Sequence, residues 1–208
     1  MIKHYMKILA IQNRMGIGDM VIFLPFIEAI SKKYETPITI LVKENSKASQ
    51  FLENNKCIEN IIILDRDNKK GSHDGLLGSI KLIKDLKKFK FEKAFIFNSS
   101  LRFNLITKIA GINKIYQYPL FEKKEQHIIL AAQNFLKKEL NINVESNPLI
   151  KLDNALIQNA KNKFKVNDNQ INILLGIGGS GPTKRVPVGK NFLNLWSWLS
   201  KFSIVNFF

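Results

Sequence analysis

A chain of 208 residues is enough for one full domain and part of another, at roughly 100–200 residues per domain, and a content of 45% hydrophobic and 24% charged residues excludes a disordered tract. Lys and Arg number 32 against 17 Asp and Glu, and the net charge of +15 favours nucleotides, phospholipid head groups or nucleic acid without choosing among them. One cysteine, Cys57, and three histidines without ligand spacing exclude an internal disulfide and a Cys/His zinc site, and a reducing, cytosolic compartment is the expectation.

The N-terminal "MIKHYMKILAIQ" has an apolar stretch too short for a signal peptide, and it runs straight into a strand over 6–12. Residues 19–33 place Val21, Leu24, Ile27 and Phe23, Phe26, Ile30 at three- and four-residue spacings, which predicts a helix. A strand over 37–42, a short helix over 46–54 and a strand over 60–65 follow, then a polar loop, "DRDNKKGSHDG". The segment "LLGSIKLIKDLKKF" (76–89) predicts an amphipathic helix whose lysines gather at the end where the helix dipole favours cations. Next come a strand over 93–98, a helix over 100–111 closed by Gly111, a strand over 114–119, and helices over 125–140 and 153–165. A fresh strand over 171–178 leads through a Gly-rich loop to a helix over 190–201, and "SIVNFF" (203–208) opens another strand. No segment reaches the ~18 uninterrupted apolar residues of a membrane span, so any membrane contact is expected to be peripheral.

Strands alternating with helices predict an α/β fold: a doubly wound, parallel, Rossmann-like sheet covered on both faces. The expected organisation is a Rossmann-like domain over 1–150, a linker helix over 151–170, and over 171–208 the first βα unit of an incomplete second domain. A lone βα unit buries too little apolar area for a core of its own, so 171–208 is expected to pack on the first domain or stay poorly ordered, as in a piece of a longer two-domain protein.

Ligands of such sheets bind outside the carboxyl ends of the strands, where three loops draw attention. The first, "NRMGIGDMVIFLP", has Gly16 and Gly18 but Val21 where a dinucleotide fingerprint needs its third glycine. Asp19 there is either a helix cap or a general base that takes a proton from an acceptor hydroxyl. The second, "GIGGSGPTKRVP" (176–187), has the glycine spacing of a P-loop in Gly176 and Gly181, but Pro182 and Thr183 follow and the P-loop reading fails. Bare amides, Ser180, Thr183, Lys184 and Arg185 at a strand-to-helix turn still suit a diphosphate, against a plain surface loop. The third is "FNSSLR" (97–102): Ser99 or Ser100 caps a helix and Arg102 faces solvent, or the three bind a polar or anionic acceptor. The lysines of 84–93 read as a solvated face, with an anionic membrane surface as the minority reading.

Taken in order, these segments resemble glycosyltransferase family 9, the lipopolysaccharide heptosyltransferases. "KILAIQNRMGIGDMVIFLPFIEAISKKY" is similar to the family's opening strand, its Gly-Asp turn (Gly18, Asp19) and its helix with a proline (Pro25). "FNSSLRFNLITKIAGINKIYQY" resembles its Ser-Leu-Arg turn and helix, and "GIGGSGPTKRVP" its second-domain loop, with Val186 in place of the usual Trp. The resemblance implies a GT-B type N-terminal domain with an incomplete second domain, and an inverting, metal-independent transfer. The sugar is heptose-like, the donor a nucleotide-sugar of ADP-heptose type, and the acceptor a lipid-linked saccharide of the lipopolysaccharide inner core. Asp19 is implied as the catalytic base, Ser180, Thr183 and Lys184 as donor-binding, and Gly18, Ser100 and Arg102 as acceptor-binding. No cofactor is implied, and the implied place is the cytoplasm, with peripheral contact at the cytoplasmic face of the inner membrane. Little activity is expected of the chain alone, because the family's downstream acidic-glycine-histidine segment is not in it. The alternatives are a nucleotide-binding Rossmann domain and a basic binder of anionic surfaces or nucleic acid; the chain has no compact aromatic-basic motif specific to nucleic acid.

Overall fold

Four apolar residues and a glutamine form strand β1 (Ile8–Gln12), and all five are buried. In the computed structural model, which describes residues 6–14, 16–66, 71–120, 126–173, 197 and 205–207, this strand is the centre of a five-stranded sheet. β2 (Ile38–Lys43), β3 (Ile58–Leu64), β4 (Lys93–Ile96) and β5 (Lys114–Gln117) complete it in the order β3-β2-β1-β4-β5, every pair parallel. In β1, Leu9 pairs with Thr39 on one side and Ala94 on the other, so the winding reverses between β1 and β4. The expected α/β, doubly wound, Rossmann-like sheet is the one observed.

Side chains alternate across a strand, and the two faces have separate cores. Ile8 and Ala10 of β1, Ile40 of β2 and Phe95 of β4 face α1 (Ile17–Tyr34) and α5 (Ile128–Leu140). Leu9, Ile11, Leu41, Ala94 and Ile96 face α3 (Gly75–Lys87) and α4 (Leu101–Ile109). Helix α1 buries Met20, Phe23, Leu24, Phe26, Ile27 and Ile30, the stripe that the sequence predicts. The helix expected over 46–54 is instead a 3-10 turn (Glu44–Ser46) and a single helical turn, α2 (Ala48–Phe51). The left-handed backbone of Lys47 (φ 53°) separates the two.

The chain divides into two compact units, Met1–Lys151 and Leu152–Phe208. The second contains α6 (Asn154–Lys163), capped by Asp153, whose side chain accepts the Ala155 N–H at 2.7 Å. It also contains a parallel pair, β6 (Ile171–Ile173) with β7 (Val205–Phe207). The loop 176–187, the helix expected over 190–201 and the packing expected of 171–208 otherwise lie outside the described residues. Among the described residues no helix is long and apolar enough to cross a membrane.

Candidate active site

The turn from β1 into α1 depends on Gly16. Its backbone, at φ 107° and ψ 157°, occupies a region essentially restricted to glycine, and it is the N-cap of α1 with no side-chain cap. The helix therefore begins at Ile17, two residues before the predicted start, and Asp19 lies inside the first turn. Among the described residues the Asp19 carboxylate, half-buried, has no hydrogen-bond or ion-pair partner, so it is not the cap. Gly18 is helical and exposed, and a Cβ added there would meet nothing within 4 Å.

Amide side chains join the ends of the strands around the point where the winding reverses. Asn98, after β4, donates from Nδ2 to Oδ1 of Asn13, after β1, at 3.1 Å. Gln117, the last residue of β5, donates from Nε2 to the carbonyls of Asn98 (3.1 Å) and Ser100 (3.0 Å). Its Oε1 accepts from Nδ2 of Asn104 on α4 at 2.7 Å, and the Ser100 N–H donates to Oδ1 of Asn98 at 2.9 Å. Ser100 is thus the N-cap of α4 by position, with its backbone held from both sides and no side-chain cap bond.

Above this network opens a cavity of about 810 Å³, walled by strand ends and α5. That size suits a small-molecule or sugar ligand. Phe23, Tyr118 and Phe135 supply aromatic surface; Asn98, Ser99, Gln117 and Asn134 supply polar groups; Arg14 and Lys138 supply positive charge and Glu139 a carboxylate. The Tyr118 ring stands edge-on to Phe135, centroids 5.0 Å apart, and its hydroxyl is buried without a partner among the described residues. Burial pushes that phenol up, and the charge of Arg14 opposes the shift. Gln12 Nε2 is likewise buried and unpaired, while its Oε1 accepts the Arg14 N–H at 3.0 Å. Asp19 is not in the cavity wall, but Phe23 is, and residues four apart share one helix face.

Arg102 turns inward rather than to solvent. Nη2 donates to the His73 carbonyl at 2.6 Å and Nε to Ser79 Oγ at 3.0 Å; Nη1 is buried without a partner among the described residues. Burial pushes its guanidinium down, like-charge Arg66 adds to this, and Asp74 opposes it. The loop so anchored is closed by its own bonds: the Asp65 N–H donates to His73 Nδ1 at 3.0 Å, and the Ser72 N–H to Asp65 Oδ2 at 2.8 Å.

Of the residues singled out from sequence, Gly18 and Asp19 lie in the first turn of α1, and Ser100 and Arg102 at the start of α4, all at the carboxyl edge of the sheet. Ser180, Thr183 and Lys184 lie outside the described residues. Arg14, Asn98, Gln117 and Tyr118 line the cavity but are not among the residues singled out from sequence. The carboxyl-edge rule points to the loops after β1, after β4 and after the strand at 171–178; applied after β5 it also points to Gln117 and Tyr118.

No family model matches the sequence, and no curated protein matches it. Solved structures do match its fold. A glycosyl transferase family 9 protein from Veillonella parvula is 20% identical, with a TM-score of 0.70 over 95% of this chain and 60% of that one. The E. coli ADP-heptose lipopolysaccharide heptosyltransferase II is 17% identical, with a TM-score of 0.67 over 96% and 63%. E. coli heptosyltransferase WaaC, solved with ADP-2-deoxy-2-fluoro heptose, is 14% identical, with a TM-score of 0.61 over 96% and 68%. The chain thus spans roughly two thirds of the length of these structures or a little less, and across that span it shares the fold of glycosyltransferases of family 9 type.

Proposed function

We propose that this chain is the acceptor-side part of a glycosyltransferase that moves a heptose-like sugar from a nucleotide-sugar of ADP-heptose type to a lipopolysaccharide inner-core saccharide. One observation carries the reading: Asp19, a carboxylate without a partner among the described residues, in the first turn of α1 at the carboxyl edge of the sheet, one helical turn ahead of the Phe23 that walls the cavity. The fold likeness to ADP-heptose-dependent enzymes supports it.

In the proposed reaction Asp19 takes the proton of an acceptor hydroxyl. The freed oxygen pair attacks the anomeric carbon from the face opposite the diphosphate, the carbon–oxygen bond to the leaving group breaks, and configuration inverts. No metal is invoked: Ser180, Thr183 and Lys184 are assigned to the departing diphosphate, where a cation and hydroxyls offset its growing charge. Gly18 leaves the first turn of α1 bare for an approaching acceptor. Ser100 sits on the backbone that Gln117 holds. Arg102 is assigned to the acceptor side through Nη1, which has no partner among the described residues, while Nη2 and Nε hold His73 and Ser79. The cavity, with aromatic faces, amides and cations, suits an acidic or phosphorylated sugar.

The test is transfer from ADP-heptose to a heptose-free inner-core acceptor, read as ADP release. It is run on the chain alone and on the chain mixed with a separately expressed C-terminal half of a family 9 enzyme. Little turnover is expected alone and more in the mixture. Asp19→Asn should retain the fold and reduce turnover by about 100- to 10,000-fold. Unchanged turnover in that variant would remove the base from the mechanism.

A further inference from the structure

Gln117 and Asn98 both wall the cavity, but they differ in what they have left to offer a ligand. Gln117 uses both Nε2 hydrogens, on the carbonyls of Asn98 and Ser100, and its Oε1 holds Asn104. Asn98 uses only one. Its Nδ2 donates to Asn13 Oδ1 at 3.1 Å, and a carboxamide nitrogen carries two hydrogens. The second has no acceptor among the described residues. Three bonds fix where it points. The Ser100 N–H, at 2.9 Å, needs an acceptor, so Oδ1 lies on that side and the nitrogen lies toward Asn13. The main-chain carbonyl of Asn98 is held by Gln117 at 3.1 Å. A side chain anchored at its backbone and at both ends of its amide keeps its remaining N–H in one direction. Ser99 is exposed in the same wall, and its hydroxyl has no partner among the described residues.

We propose that Asn98 is a specificity-determining residue of the acceptor cavity: its second Nδ2 hydrogen donates to a sugar oxygen, and Ser99 meets the hydroxyl on the adjacent carbon. The inference rests on the transferase reading, which supplies a saccharide as the ligand. A donor whose direction is set before binding loses little freedom on binding, and so discriminates by position. A sugar ring with hydroxyls on adjacent carbons brings two oxygens side by side, one for each group. A ligand without an oxygen there leaves the N–H desolvated and unpaired, which selects against it. The amide is neutral, so Asn98 reads where an oxygen lies rather than its charge, and charge is left to Arg14 and Lys138. The bond to Asn13 gives the contact a second consequence. Asn13 begins the segment that runs through Gly16 to Asp19, so an oxygen held by Asn98 is held in register with the turn that carries the proposed base.

The experiment titrates the full chain with the heptose-free inner-core saccharide, freed of its acyl chains. Calorimetry gives the affinity, and proton–nitrogen correlation NMR follows the side-chain amides, with Asn98 assigned by the signals that Asn98→Asp removes. The Nδ2 proton not bonded to Asn13 is expected to shift on binding, and the other to move less. Asn98→Asp keeps an acceptor for the Ser100 N–H, and Asn13 can turn its own amide to donate, so the urea midpoint should hold while an oxygen replaces the donor in the cavity. Affinity should fall on the order of tenfold or more in that variant, and about threefold in Ser99→Ala. Asn98→Ser is neutral and too short to reach the ligand, so an equal loss there separates the missing donor from charge repulsion. If either variant fails to fold by circular dichroism, the proton shift in the unaltered chain decides. Undiminished affinity in both Asn98 variants, or an Asn98 proton that stays still while the saccharide binds, overturns the proposal and leaves the transferase reading standing. A saccharide that does not bind the unaltered chain overturns both.

Discussion

Asn98 donates a hydrogen bond to Asn13 across 3.1 Å, and those two residues lie 85 apart in the chain. Each directly follows a strand or the loop start beyond it, and the strands concerned, β1 and β4, are the pair between which the winding reverses. The bond therefore joins the loop that leads to Asp19 with the loop that leads to Ser100.

Gln117 is the residue on which that junction depends, since one Nε2 serves two carbonyls and Oε1 receives Asn104. Gln117→Leu strands the Asn98 carbonyl and the Asn104 side-chain donor in a half-buried setting, while the Ser100 carbonyl keeps the Asn104 N–H at 3.4 Å. A loss of about 1–3 kcal/mol is expected in urea unfolding, and Asn98→Ala should cost less because it leaves the Gln117 bonds in place.

Gly16 and Gly18 look alike in sequence and should respond in opposite directions. Gly16→Ala puts a side chain on a backbone at φ 107°, at a cost of about 1–3 kcal/mol. Gly18→Ala meets no atom within 4 Å and should be neutral or stabilising by up to about 1 kcal/mol. If the acceptor closes on that turn, Gly18→Ala lowers transfer while raising the melting temperature, which paired kinetic and thermal measurements would separate.

Helix α3 approaches the 65–75 loop closely at Gly78, where an added Cβ would overlap the His73 backbone, 2.7 Å from its Cα. Gly78→Ala must displace main chain and should destabilise by about 1–3 kcal/mol or more. Arg102→Lys cannot span both the His73 carbonyl and Ser79. Limited proteolysis should find the 65–75 segment cut faster in both variants, with urea midpoints lowered.

Acid should loosen the same loop. The Ser72 amide chiefly holds Asp65 below the usual carboxylate range, and Lys88 chiefly does so for Asp85, where burial opposes it. Carboxylates depressed by folding stabilise fully above their unfolded value of about 4, and the contribution is lost as pH falls through the lower folded values. Exchange of the Ser72 and Asp65 amides, corrected for its intrinsic pH dependence, should accelerate below about pH 4; Asp65→Asn should flatten that response.

Strand and helix positions were legible from the chain because they depend on neighbours a few residues apart: buried runs such as "ILAIQ", and the three- and four-residue spacing of Phe23, Phe26 and Ile30. Parallel winding follows from their alternation, and the turn from β1 into α1 is legible, although Asp19 lies inside the first helical turn rather than ahead of it. Local reasoning could not assign the cap to the Gly16 backbone, because that needs a φ value rather than a residue type. Nor could it find Gln117 or the inward turn of Arg102. Their partners, Asn98 and His73, lie 19 and 29 residues away and become neighbours only once β5 settles beside β4 and α4 beside α3. Periodicity is written into consecutive side-chain directions, whereas those contacts arise from strand order, which many distant pairings set together.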